Sequence, residues 1–222
     1  MDKKTIQKRR MMSYFIEAAQ SIIEEKGIEN VTIREVSDIA GYNSATLYNY
    51  FENLDHLLFF ASMKYLREYV VNLSNTIKKS QGDMDRFLKT WECFCNHSFQ
   101  KPKIYQTIFF HEYSHTLKAT THEYYLIFPE ELGEQAEDML DMLLKNSLLE
   151  RNRTALEKCF LEKFTTKNPK DKNAINEIIV FIYHGILLKI INHHDALSVE
   201  DATNQTLDYI QQILHFYGIT SS

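Results

Sequence analysis

Apolar residues recur at helical spacing from one end of this 222-residue chain to the other, which points to a fold built of helices. Phe15, Ala18, Ala19, Ile22 and Ile23 follow an i, i+3, i+4, i+7, i+8 pattern, and Gly27 reads as the stop after them. Between Ala174 and Ile191, the residues Ile175, Ile178, Ile179, Ile182, Ile186, Leu187 and Ile190 make a sustained stripe of period 3.6. Val199, Thr203, Leu207, Ile210, Leu214 and Tyr217 repeat the pattern in a last helix. Only six Gly and three Pro are present, too few to punctuate a sheet of short strands. The expected class is all-α, with helix breaks near Lys101-Pro102, across Thr120 to Pro129, and across Lys167 to Lys172.

The run from Thr32 to Phe51, TIREVSDIAGYNSATLYNYF, is more specific. Thr32 with Glu35 spells a capping box, so a helix starts there. Ile33, Val36 and Ala40 give it a buried face, and Gly41 ends it in a tight turn where a Cβ is disfavoured. Asn43 caps a short third helix through Tyr50, and Asn53 caps a fourth from Leu54 to about Lys79. Leu47 and Phe51 lie four apart, on the face that anchors the third helix. Ser44, Ala45, Thr46, Tyr48 and Asn49 are left on the outer side, where a recognition helix meets the major groove.

This run resembles the DNA-binding segment of the tetracycline-repressor (TetR) family, matching its pattern at Thr32, Val36, Ala40, Gly41, Thr46, Leu47, Tyr48, Tyr50, Phe51 and Leu57. The likeness covers residues 13 to about 60. It implies an N-terminal three-helix DNA-binding domain (1–55) and a larger helical ligand-binding and dimerisation domain (56–222). It further implies phosphate contacts from Thr32 and Arg34, with a recognition surface of Asn43, Ser44, Ala45, Thr46, Tyr48, Asn49 and Tyr50. The chain departs from the pattern in four places. Ser37 stands for Ala, an exchange a hydrogen bond could accommodate. Asn43 stands for Ser, Ala45 for Gly, and Leu54 for a Lys that would contact phosphate.

A formal net charge of −5 is unusual for a protein that binds DNA. Residues 2–10, however, hold five cations (Lys3, Lys4, Lys8, Arg9, Arg10) against Asp2, while acidity gathers between Pro129 and Asp141. Binding follows the local field, so a basic arm on an acidic body still attracts phosphate. Three Cys, an odd number, argue against a disulfide framework. Cys93 and Cys95 lie about 200° apart on a helix, so they cannot share one metal. No run of about 18 uncharged apolar residues signals a membrane span, and the N-terminus lacks the apolar core of a signal peptide. A cytoplasmic protein without cofactor is expected.

One motif points to a different class. His111, Glu112 and His115 spell His-Glu-x-x-His, which on an α-helix puts both imidazoles on one face for zinc, with Glu112 as general base. The alternative is thus a metal-dependent hydrolase or a metal sensor. The longer protease pattern is absent: Lys118 and Thr121 stand where it requires Gly and His, and His122 comes one place late. A regulator without catalysis or resident metal remains the expectation, with His97, His111, His115 and His122 as ordinary or ligand-facing histidines.

Aromatic residues crowd between Trp91 and Phe128. Such rings are core, but they can also wall an apolar cavity with a few polar groups. Trp91, Phe94, Phe109, His111, Tyr113, His115 and Tyr125 are the candidates for an effector pocket, suited to a small hydrophobic molecule. Ile178, Ile182, Gly185, Leu207, Ile210 and Leu214 are the candidates for a homodimer interface, a four-helix bundle across a twofold axis. The partners expected are double-stranded DNA with a palindromic operator, a hydrophobic effector and a second copy of the chain.

Overall fold

The computed structural model describes residues 2–131, 145, 147–165, 169–192 and 197–220, and no strand occurs among them. Among the described residues ten α-helices follow in order: α1 Lys3–Lys26, α2 Ile33–Ala40, α3 Ser44–Leu47, α4 Leu54–Ile77, α5 Asp83–Gln100, α6 Pro102–Phe110, α7 Leu117–Ile127, α8 Leu148–Thr165, α9 Pro169–Ile191 and α10 Val199–Phe216. They pack as two compact units. The first holds Met1–Arg67 and Lys103–Gln135, the second Glu68–Pro102 and Ala136–Ser222. This packing boundary falls within α4, and it draws α6 and α7 to the N-terminal residues.

In the first unit α1 packs against α2 and α7, and α2 against α3. The local signals act as their chemistry dictates. Thr32 Oγ1 accepts from the Glu35 N–H at 3.2 Å, and Gly41 ends α2 in the left-handed region at φ 78°. Asn43 Oδ1 accepts from the Thr46 N–H at 2.9 Å and its hydroxyl at 3.0 Å. Asn53 Oδ1 accepts from the His56 N–H at 2.8 Å, opening α4. Phe15, Val36, Leu47 and Phe51 are fully buried, and Phe15 sits against the rings of Tyr42, Tyr50 and Phe51.

Two expectations are corrected here. Regular α3 stops at Leu47; residues 48–50 continue as a tighter turn, with the Asn49 N–H on Thr46 O and the Tyr50 N–H on Leu47 O. The break expected across Thr120 to Pro129 does not begin at Thr120. Leu117, Thr120, Thr121 and Tyr124 form the buried stripe of α7, with Thr121 donating to Met63 Sδ at 3.6 Å. The interruption lies earlier, in the 3₁₀ turn Glu112–Thr116, and α7 ends at Ile127 before Pro129. The basic arm forms the first turns of α1, where Asp2 Oδ1 accepts from the Thr5 N–H at 2.7 Å.

Ser37 also departs from expectation. It is 1% exposed, and its hydroxyl finds no hydrogen-bond partner. A buried hydroxyl left unpaired costs about 1–3 kcal/mol. Ser37→Ala is therefore expected to stabilise the protein by about 1 kcal/mol, read as a higher urea midpoint at unchanged slope. A lower midpoint would show that the hydroxyl is satisfied in solution.

In the second unit α5 packs on α8, α9 and α10, and α9 on α8 and α10. Trp91, Phe94 and Phe99 of α5 close around Tyr183 of α9, with ring centroids 4.9–5.6 Å apart. Among the described residues α9 is the one helix long and apolar enough to cross a membrane. Ile175, Ile179, Val180, Tyr183, Ile186 and Leu187 nevertheless bury its stripe within this bundle, as in the core helix of a folded domain.

Candidate functional site

The candidate DNA-contacting residues all belong to the first unit, and none of them is fully buried. Thr32, Arg34, Asn43, Ala45, Tyr48 and Asn49 are exposed; Ser44, Thr46 and Tyr50 are half-buried. Tyr48 stands out with 54% of its surface exposed, although a ring of that size ordinarily seeks the interior. The buried side of the same segment, Leu47 and Phe51, fixes its orientation.

The start of α1 joins this surface. Lys4, Thr5, Gln7 and Lys8 share a groove with Asn49 and Tyr50, so two ammonium groups one helical turn apart flank the candidate recognition residues. Lys3 and Arg10 are exposed as well. Arg9 is half-buried and donates through Nε to Glu123 on α7 at 3.3 Å, so its charge is engaged inside the protein. The spacing of Lys4 and Lys8 was visible in the sequence; their place beside Asn49 was not.

Behind this surface a polar cluster ties the start of α4 to the 112–116 turn. The His56 ring stacks on Tyr113 with centroids 4.8 Å apart, and its Nδ1 accepts from the Glu52 N–H at 3.2 Å. Burial pushes His56 below the ordinary imidazole range, which favours the neutral ring that this bond requires. Tyr113 donates its hydroxyl to Glu52 at 3.1 Å and accepts from Asn53 Nδ2 at 3.0 Å. Deeper in, Tyr124 donates to Glu131 at 2.7 Å and accepts from Gln20, which also donates to the carbonyl of Ala61. A buried Tyr and Gln at these positions carry no sequence signal of their own, because the pairing spans distant segments.

The His-Glu-x-x-His run does not meet the geometry of a zinc protease. His111 precedes a 3₁₀ turn, where residues four apart no longer share a face. The His115 ring stands 2.6 Å from the carbonyl of Glu112. A different trio, Asp55, His111 and Glu112, brings its ligand atoms within 4.8 Å of one another and could hold a cation, but both carboxylates are exposed and His115 is not part of it. Cysteine offers no alternative ligand among the described residues, since Cys93, Cys95 and Cys159 are buried and free. Burial pushes the thiols of Cys93 and Cys159 up to about 11.

The residues expected to share one effector pocket fall into different places. Trp91 and Phe94 line a narrow cavity of about 30 Å³ in the second unit, together with Tyr69, Thr90, Leu148, Arg151, Asn152 and Ala155. Tyr113 and His115 line an open groove in the first unit with Glu52, His56 and Glu123. Phe109 is buried in the core, Tyr125 packs edge-on to Tyr124, and His111 stacks near Tyr113. Sequence reasoning missed Arg151 and Asn152. Leu148, Arg151, Asn152 and Ala155 do follow an i, i+3, i+4, i+7 pattern, and a strict helical reading places both polar residues on the buried face.

The candidate interface residues divide too. Ile210 and Leu214 are fully buried within the chain's own bundle, while Ile178, Ile182 and Leu207 are half-buried and Gly185 is exposed. The free apolar surface of α9 and α10 is instead carried by Phe181 (64% exposed), Leu188, Tyr209 and Phe216 (80% exposed).

Residues 15–59 match the family model of bacterial regulatory proteins, tetR family. No curated protein matches the sequence. Three solved structures similar over nearly the whole chain are TetR-family or ligand-bound proteins. Thermus thermophilus FadR, a TetR-family transcriptional repressor in complex with lauroyl-CoA, is 10% identical, with 95% of this chain and 96% of that one covered at a TM-score of 0.59. RolR in complex with resorcinol is 16% identical, with 98% of both chains covered and a TM-score of 0.57. A TetR transcriptional regulator from Rhodococcus sp. RHA1 is 16% identical, with 95% and 97% covered and a TM-score of 0.54. At such identities the likeness shows the fold.

Proposed function

We propose that this chain, whose residues 15–59 match the family model of bacterial regulatory proteins, tetR family, is a ligand-responsive transcriptional regulator, a repressor released from a palindromic operator by a small, largely hydrophobic effector. It acts as a cytoplasmic homodimer without catalysis. Residues 1–55 bind DNA, and residues 56–222 carry effector binding and dimerisation. The observation that carries the reading is the exposed surface of Tyr48 and Asn49, held from behind by Leu47 and Phe51 and flanked by Lys4 and Lys8. The lauroyl-CoA and resorcinol bound by the FadR and RolR structures support a small-molecule effector in the same fold.

Phosphate contacts position such a protein and base-edge contacts specify its site. Thr32, Arg34, Lys4 and Lys8 serve the first role; Ser44, Thr46, Tyr48 and Asn49 serve the second. Replacing Lys4 and Lys8 together by alanine is expected to weaken binding to all duplexes alike and to lower the salt slope by about 2, since each phosphate contact contributes about 0.9. An unchanged slope in anisotropy titrations from low to high salt would remove α1 from the interface.

In the dimer, α9 and α10 of two copies meet across a twofold axis and cover Phe181, Leu188, Tyr209 and Phe216. Open space around Gly185 supports this reading, because a partner helix can approach its backbone there. Phe181→Lys is expected to shift sedimentation from dimer to monomer at micromolar concentration. A wild-type protein that sediments as monomer sinks the dimer.

Effector binding in the second unit acts through α4, which carries Tyr69 at the cavity and begins beside Glu52 and His56. The unliganded dimer holds its recognition segments about one DNA turn apart, and the ligand favours a state in which that spacing is lost. Selection from a random duplex pool, followed by sequencing of the retained DNA, tests the whole reading. Enrichment of a palindrome is expected, and no enrichment at any salt concentration overturns it.

A further inference from the structure

Asp55 lies in the first turn of α4, while His111 and Glu112 stand where α6 gives way to the 3₁₀ turn. One ligand atom from each of the three lies within 4.8 Å of the others. Asp55 is far from the other two in sequence, so folding alone brings them together. All three belong to the first unit.

The surroundings of this trio point to a bound cation. Nδ1 of His111 is shut off from solvent and has no hydrogen-bond partner. Buried polar atoms are ordinarily paired, and a cation coordinated at Nδ1 would meet that need. The ring is also held in place. It stacks near Tyr113 with centroids 6.1 Å apart and planes 20° apart, and the Tyr113 hydroxyl is fixed between Asn53 and Glu52. Outer-shell anchoring of this kind orients a metal-ligating imidazole. Asp55 and Glu112, in turn, place two like charges close together. Among the described residues neither carboxylate has an ion-pair partner. A divalent cation between them relieves the repulsion.

The donor set selects the class of ion. One imidazole nitrogen and two carboxylate oxygens, with no thiolate, suit a divalent first-row metal such as zinc or manganese, water filling the remaining positions. Donor atoms about 2.1 Å from a shared zinc ion stand about 3.4 Å apart. Small rotations of the two exposed carboxylates therefore close the set.

We propose that Asp55, His111 and Glu112 bind a divalent first-row metal ion, which ties the first turn of α4 to the end of α6. The ligands differ from those of the His-Glu-x-x-His pattern. Asp55 takes the place of His115, whose ring is turned to the carbonyl of Glu112. The site is independent of the organic effector proposed for residues 56–222.

Full-length protein without a His tag is stripped with a chelator, then titrated by calorimetry with zinc chloride and, separately, with manganese chloride. At least one metal is expected to bind saturably at one ion per chain. Asp55→Asn and His111→Ala are each expected to weaken that binding about tenfold or more, since even the loss of an outer-shell partner costs about 10–100-fold. His115→Ala should leave it unchanged. The metal should also raise the thermal midpoint of the wild type and not that of Asp55→Asn. Nine histidines make scattered surface binding the competing account, and these variants separate the two. Asp55 is exposed, so its asparagine variant carries the test even where His111→Ala does not fold. No saturable one-per-chain binding of either metal overturns the proposal. So does binding that Asp55→Asn leaves at wild-type affinity, and binding lost in His115→Ala alone would restore the histidine pair instead.

Discussion

Tyr48→Ala is expected to cut the preference for the operator over a scrambled duplex by about 5- to 150-fold while leaving the fold unchanged. Tyr48 is more than half exposed, so truncating it removes little packing, and surface changes of this kind stay within about 0.5 kcal/mol of wild-type stability. A side chain that reads a base edge contributes about 1–3 kcal/mol of discrimination, a factor of about 5 to 150. The loss should therefore appear in the ratio of specific to non-specific affinity, with little change in the salt slope. Lys4 and Lys8 predict the opposite signature, because ammonium groups on phosphates respond to salt and carry no sequence. Anisotropy titrations of both variants against the selected palindrome distinguish the two. If Tyr48→Ala retains the wild-type ratio, the recognition surface lies elsewhere on the first unit.

Phe15→Ala is expected to cost about 3–5 kcal/mol, enough to unfold the first unit of a marginally stable protein. Phe15 has no exposed surface, and its ring meets Tyr42, Tyr50 and Phe51 at centroid distances of 5.7–6.4 Å. These three residues frame α3, so the cavity left behind lies under the recognition segment. Loss of operator binding should accompany loss of stability, whereas in Tyr48→Ala the two separate. Phe15→Leu, which refills most of the volume, should recover a large part of both. Urea unfolding followed by far-UV circular dichroism, paired with operator binding, provides the check. An alanine variant as stable as wild type would mean that the rings do not form this core.

The helix-turn-helix was legible because its determinants are local. Thr32, Gly41, Asn43 and Asn53 each act within four residues, and Leu47 with Phe51 declares a buried face by spacing alone. The His-Glu-x-x-His run misled for the complementary reason. Its meaning depends on residues 111–115 being α-helical, and the Glu112–Thr116 segment winds as a 3₁₀ turn. The Thr120 break was misplaced because Thr120 and Thr121 read as polar, although both are buried and Thr121 bonds to Met63 Sδ.

The sequence by itself determined the all-α class, the start of the recognition segment and the local excess of positive charge in residues 2–10. Those properties follow from periodicity, capping and composition, which act within a few residues. Only the tertiary structure decided that Arg9 is engaged with Glu123 while Lys4 and Lys8 stand beside Asn49, and that Ile210 and Leu214 face inward while Phe181 and Phe216 face out. It also decided that Arg151 meets Tyr69 and Trp91 around one cavity. Each of these depends on which face of a helix meets which neighbour across tens of residues. Side-chain spacing describes a face, and what that face touches is set by packing between segments.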